Sequence, residues 1–174
     1  MHFLTLVLLP PEVPQEEDAV YDAIERLLGP YYVELEGPTR REYYDARAIE
    51  NLAARYCVRP SNLAKIAAKL RKDLGVDCGV DERGVYYITN LNPNGKYDYW
   101  TLHNFEADVW RARNMPRDLL PSAVVTPDGQ WRDTGEEEWY RDLTPTERQA
   151  VNQRAYALID QYPACLAAAL DCHS

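Results

Sequence analysis

Phenylalanine, paired cysteines, positive charge and long apolar runs are all scarce in this 174-residue chain. Each shortage excludes something. The four cysteines (Cys57, Cys78, Cys165 and Cys172) form no C-x-x-C pair and do not cluster with histidine. Only Cys172 and His173 adjoin, and neighbours on a strand point to opposite faces, which suits neither zinc ligation nor a thiolate–imidazole pair. No metal or cofactor is expected. Without secretory signals the thiols are expected to stay reduced. The apolar opening, His2 to Leu9, is eight residues long and ends at Pro10-Pro11. A membrane helix needs about 20 apolar residues. The run also lacks the basic flank and small-residue cleavage site of a signal peptide. It reads as a buried strand, with no membrane partner and the cytoplasm as the expected compartment.

Acids outnumber bases 28 to 19, a formal net charge of −9, which opposes nonspecific attraction to nucleic acid or an anionic membrane. The aromatic residues are 13 Tyr and 4 Trp against 2 Phe. Those rings carry polar tips and serve where a surface must be both apolar and hydrogen-bonding. At 46% hydrophobic, the chain has enough apolar content for one domain with a real core.

Apolar spacing predicts a helix over residues 16–28, stopped by Gly29-Pro30, and a short strand over 31–35. Residues 40–74 look helical, broken at Arg59-Pro60, with Ser61 as an N-cap and Gly75 as a stop. Val85 to Thr89 reads as a strand. Pro93-Asn94-Gly95 then reads as a hairpin mouth leading into a strand over 96–100, with Lys96, Asp98 and Trp100 on one face and Tyr97 and Tyr99 on the other. Leu102 to Leu120 has no clean period. Ser122 to Val125 is a strand closed by the Thr126–Gly129 turn. Thr144-Pro145-Thr146-Glu147 starts a helix, and Ala164 to Leu170 suits a last strand. The expected fold is α+β: a ferredoxin-like, split β-α-β antiparallel sheet with a helical insert at about 40–75, its first and last strands side by side.

Four segments together resemble a family of phages, prophages and related bacterial elements. They are the opening strand and helix ending at Leu28-Gly29-Pro30-Tyr31, the Asn92-Pro-Asn-Gly-Lys-Tyr-Asp-Tyr-Trp100 run, Ala123 to Trp131 with its Thr-Pro-Asp-Gly-x-Trp pattern, and the terminal Asp171-Cys172-His173. No activity comes with that resemblance; it implies fold and context. Where the family continues with Gly-Gly-Arg-Trp, this chain has Thr101-Leu102-His103-Asn104.

Noncatalytic recognition is the expected function. Asn92, Lys96, Tyr97, Asp98, Tyr99, Trp100, Asp128, Trp131 and His173 are the expected contacts to a small nucleotide-like ligand, with rings stacking on a base and Lys96 meeting phosphate. In a phage setting that reads as sequestration in counter-defence, with a host protein as the other partner and a homo-oligomer as an expected assembly. A second reading is DNA binding. Residues 50–72 follow a helix-turn-helix pattern in which Arg59, Lys65, Lys69 and Lys72 would meet phosphates, although Cys57 stands where the turn prefers glycine. A third is a cysteine or histidine enzyme at Cys172 or His173, with His103 as a partner. Glu136-Glu137-Glu138 reads as a solvated surface run.

Overall fold

The computed structural model describes residues 2–134 and 143–174. The triple-glutamate run lies outside them. In chain order the elements are β1 (His2–Leu9), α1 (Glu17–Leu28), β2 (Arg40–Tyr43), α2 (Ala46–Arg55), α3 (Leu63–Leu74), β3 (Cys78–Asp81), β4 (Gly84–Thr89), β5 (Tyr99–Thr101), α4 (Phe105–Asp108), β6 (Val109–Arg111), β7 (Ala123–Val125), β8 (Trp131–Asp133), α5 (Pro145–Ile159) and β9 (Leu166–His173). The fold is mixed α+β. Two compact units share the chain: Met1–Leu35 with Asn94–Ser174, and Glu36–Pro93.

The first unit is organised by β1 and β9, apolar strands that pair antiparallel over eight residues from His2↔His173 to Leu9↔Leu166. A strand apolar at nearly every position is one buried on both faces. On one face, Val7 and Leu9 meet Val20, Ala23, Ile24, Leu27 and Leu28 of α1, with Leu166, Ala168, Leu170 and Cys172 beside them. On the other, Leu6, Leu8 and Ala167 meet Ala155, Tyr156 and Ile159 of α5. A capping box fixes the start of α5: Thr144 accepts from the Glu147 amide, and the Glu147 carboxylate accepts from the Thr144 amide at 2.7 Å. The sheet order is β5-β9-β1-β7-β8, with β6 also pairing β9. It is mixed rather than antiparallel throughout, because β1 and β7 run parallel.

Two expected strands are built differently. Residues 29–31 form a 3₁₀ turn that extends α1, and residues 31–35 contribute only an isolated bridge, Tyr32↔Tyr97. The turn at 93–95 opens no hairpin. The strand after it covers only Tyr99–Thr101, and its partner is the distant strand β9, with Tyr99 opposite His173. Because 96–98 are not in a strand, the expected alternation fails. Tyr97 is buried at 5% exposure in the same cluster that Trp100 packs against, while Tyr99 is exposed.

The second unit is an antiparallel sheet, β2-β4-β3, with α2 and α3 on one face. Residues 40–43, expected to be helical, form β2 instead. Their alternation places Glu42 opposite Tyr87, whose hydroxyl donates to the Glu42 carboxylate at 2.5 Å. That bond, with burial, pushes the Tyr87 phenol up to about 12. Asn62 rather than Ser61 caps α3, accepting from the Lys65 amide at 3.2 Å. Gly75 ends that helix in the left-handed region, φ 67°, and its amide donates to the Arg71 carbonyl. A Cβ there would meet nothing within 4 Å, so a substitution is felt through the backbone alone. Gly75→Ala is expected to cost about 1 kcal/mol, read as a shift in urea midpoint at constant slope. An unchanged midpoint would mean that this cap does not limit the stability of α3.

Candidate functional site

Strand β5 lies against the end of β9 with Tyr99↔His173, Trp100↔Cys172 and Thr101↔Asp171 in register. Two motifs far apart in sequence therefore become one structure. His173 Nδ1 sits 2.8 Å from Asp98 Oδ1, and the Asp98 amide donates to the His173 carbonyl at 2.9 Å. The Tyr99 ring stacks on the His173 imidazole, centroids 4.9 Å apart and 16° from parallel. Across β9, His2 Nδ1 lies 3.1 Å from both Asp171 oxygens, and His103 Nε2 lies 3.4 Å from Oδ2. The rings of His2 and His173 are 5.1 Å apart. All three histidines of the chain thus gather around Asp98 and Asp171.

Both carboxyls sit below their ordinary value, for different balances of cause. At Asp98 the bond with His173 dominates and burial opposes it. At Asp171 burial pushes upward, and the hydrogen bonds with His2 and His103 outweigh it. Among the described residues no group of three or more His, Cys, Asp or Glu is arranged to hold a metal ion.

Beside this cluster a cavity of about 710 Å³ opens along the free edge of β5. Its walls are aromatic: Tyr21 from α1, Tyr32 from the 3₁₀ extension, and Tyr97, Tyr99 and Trp100. Tyr21 and Trp100 lie 5.6 Å apart, and Tyr32 and Tyr97 5.9 Å. Burial pushes the Tyr97 phenol up to about 12, so it stays a neutral hydrogen-bonding group. The charged lining residues are the acids Glu25 and Asp98.

Of the expected contacts, Tyr97, Asp98, Tyr99 and Trp100 line this cavity, and His173 adjoins it through Asp98 and Tyr99. Lys96, Asp128 and Trp131 are placed elsewhere. Trp131 packs against Phe3 and Tyr31 at the β8 edge of the sheet, and its indole donates to Asp133 at 2.8 Å. Lys96 Nζ is 3.5 Å from the same carboxylate. Four strand spacings, about 19 Å, separate the β5 and β8 edges, so Trp100 and Trp131 cannot stack on one base. Asp128 is used by its own turn, accepting from Thr126 Oγ1 and from Gln130 Nε2. Asn92 belongs to the second unit.

Cys172 is fully buried on the face opposite Asp171 and His173, against α1. Burial pushes its thiol up to about 11, and the Asp171 charge adds to that. His103 reaches Asp171 and not the thiol. In the second unit, Arg59, Lys65, Lys69 and Lys72 are exposed, and Cys57 has a φ of 51°, the left-handed conformation that glycine prefers.

Sequence reasoning missed Tyr21, Glu25 and Tyr32, and it left His2 unassigned. Tyr21 and Glu25 lie one helical turn apart beside the apolar stripe of α1, a signal that was there to read. His2 follows from pairing the first and last strands once the register is known. Comparison with known protein families, curated proteins and solved structures finds no match.

The two depressed carboxyls make the stability of this unit pH-dependent. A group lowered in the fold contributes fully above its unfolded value, about 3.9 for Asp, and loses that contribution as pH falls through its lower folded value. Asp98→Asn is therefore expected to be less stable than wild type at pH 7, with the gap closing below about pH 4. Urea melts at pH 7 and pH 3 check this; a gap that ignores pH would contradict it.

Proposed function

We propose that the first unit binds a small planar ligand of nucleoside type in the cavity beside β5. The observation that carries this reading is the aromatic-walled cavity itself. Its volume lies within the range of about 300–1,000 Å³ common to small-molecule sites. Tyr21, Tyr32 and Trp100 offer ring faces to a base, and stacking of that kind accepts any base. Glu25 and Asp98 accept hydrogen bonds, which suits ribose hydroxyls and exocyclic amines. Lys96 is engaged at Asp133, outside the lining, so the cavity is assigned the base and sugar. Binding there requires no reaction, and holding such a ligand would sequester it.

The fold is read here as a variant of the split β-α-β arrangement. Antiparallel pairing of β1 with β9 and the helix following β1 support that; the parallel β7 is the feature it must accommodate.

Stacking on an aromatic side chain is worth about 1–3 kcal/mol per base, or roughly 5- to 150-fold in affinity. Adenosine, guanosine, cytidine and uridine titrated against tryptophan fluorescence should include one that saturates, with affinity reduced by at least that lower factor in Trp100→Ala. Equal binding by the variant would remove the cavity from consideration.

Charge partition favours a second reading for the other unit. Residues 36–93 hold ten basic and eight acidic residues, net +2, and the remainder nine and twenty, net −11. Three of the four lysines, Lys65, Lys69 and Lys72, follow helical spacing along the exposed face of α3, with the exposed small residues Ala64 and Ala68 beside them. A basic helix with small gaps can approach a phosphate backbone closely. The connection of seven residues between α2 and α3 is longer than a helix-turn-helix turn of 3–4 residues, so contact through phosphates is proposed rather than sequence readout. Salt-sensitive retardation of duplex DNA is expected for wild type and should be lost in Lys65→Glu/Lys69→Glu. No retardation by wild type at low salt would end this reading.

A further inference from the structure

We infer that the face of the β2-β4-β3 sheet away from α2 and α3 is a platform for single-stranded nucleic acid, with bases stacked over Tyr43 and Tyr86 and phosphates met by Arg41 and Arg83. Residues directly opposite one another in neighbouring strands share a face. Tyr43, Tyr86 and Gly79 lie opposite one another across the three strands. Val85 and Tyr87, on either side of Tyr86, pack under the helices. The Tyr43 and Tyr86 rings therefore stand on the other face, with centroids 5.9 Å apart. Two exposed arginines complete the layer. Arg41 lies over the Tyr86 ring at 4.4 Å and Arg83 over the Tyr43 ring at 4.1 Å.

A purely structural role accounts poorly for this face. Glycine inside a strand weakens it and marks a place where another group comes close. At Gly79 that group is the Tyr86 ring: a Cβ there would stand 2.7 Å from the hydroxyl oxygen and 2.8 Å from Cζ. The glycine thus lets the ring reach across β3 against the backbone. Arg41 crosses the same ring to meet Asp81 at 3.2 Å, and the Tyr43 hydroxyl donates to that carboxylate at 2.9 Å. The Arg41 side chain is 54% exposed, and an ion pair so exposed adds little to stability. What the contacts do is hold two rings and two guanidiniums in one layer. Two guanidiniums beside one carboxylate leave that layer net positive.

That chemistry selects the occupant. Unpaired bases stack on aromatic rings and on guanidinium planes alike. Every base has such a face, so no particular sequence is required. A base resting on a ring–guanidinium pair leaves the guanidinium N–H groups at the rim of the stack, where they donate to phosphate oxygens. In a duplex the base faces are stacked on one another and closed to a flat sheet, so a single strand is the form that fits. Charge agrees with this. Residues 36–93 carry a net +2, ten basic against eight acidic, so a polyanion is drawn to this unit rather than to the remainder. The platform is separate from the lysines of α3, because that helix packs on the opposite face of the sheet.

The test is fluorescence anisotropy of the full chain at low salt with labelled oligo(dT) and oligo(U) of about 12 nucleotides, within the usual site size for single strands. Wild type is expected to bind at least one of them, with affinity falling as salt rises. Tyr86→Leu should weaken that binding about fivefold or more, and Tyr86→Phe, which keeps the ring, should restore it. Arg83→Gln, in an exposed turn, keeps the test valid where Tyr86→Leu disturbs the sheet. It should flatten the slope of log affinity against log salt by about 0.7, the loss of one phosphate contact to a single strand. No binding by wild type would overturn the inference, as would an unchanged slope in Arg83→Gln. Binding that survives Tyr86→Leu but is lost in Lys65→Glu/Lys69→Glu would move the strand to α3 and overturn it equally. Displacement of the oligonucleotide by polyglutamate at matched charge would show that charge alone is read, and would overturn the stacking role.

Discussion

The antiparallel pairing of β1 with β9 is the constraint on which the rest of the first unit depends. Its eight residue pairs join strands that are buried toward one end of the ladder, Leu6 to Leu9 on one and Leu166 to Ala168 on the other being fully buried. Burial on that scale, at roughly 25 cal/mol per Å² of apolar surface, fixes register strongly, since a one-residue slip would exchange the α1 and α5 faces. That register seats both helices. The same register sets His2 opposite His173 at the end of the ladder, where the apolar residues give way to polar ones. The β5 strand completes the cluster by pairing with the last three residues of β9.

Charge and aromatic content are partitioned as the structure is. The acidic unit holds the cavity of tyrosine and tryptophan, whose charged lining residues are Glu25 and Asp98, while the other unit holds most of the lysine on one helix. The two proposed ligands follow that division, a planar ligand of low charge for the first and a polyanion for the second. The formal charge of −9 for the whole chain conceals this division.

Legibility in the sequence followed the length and local coding of each element. The strand of residues 2–9, the amphipathic stripe of α1 and the capping box of α5 are written in neighbouring residues, and all three form as read. The pairing of first and last strands was also legible, because both ends are apolar. Among the strands of three or four residues, β7 was legible from its apolar run and following turn, but β2 and β5 were not: they carry too few positions for alternation to show, and a distant partner decides their conformation. That explains why the 92–100 run read as a hairpin, with Tyr97 and Tyr99 on one side and Trp100 on the other. It likewise explains why Trp131, with a motif as conspicuous as that of Trp100, was drawn into the same site. Sheet order, which places them on opposite edges, is not written in either motif. Cys57 is the converse case, a local oddity in the sequence that appears in the fold as a left-handed backbone.

The proposed ligand cavity at β5 adjoins His173 through Asp98 and Tyr99 and is separate from the Trp131 edge. Two-dimensional NMR of the tryptophan indole and histidine ring protons during a nucleoside titration tests it most directly. The Trp100 indole and the His173 ring are expected to shift together with one saturation curve while the Trp131 indole stays fixed. A shift of Trp131 in step with Trp100, or a Trp100 shift that leaves His173 unmoved, would contradict it.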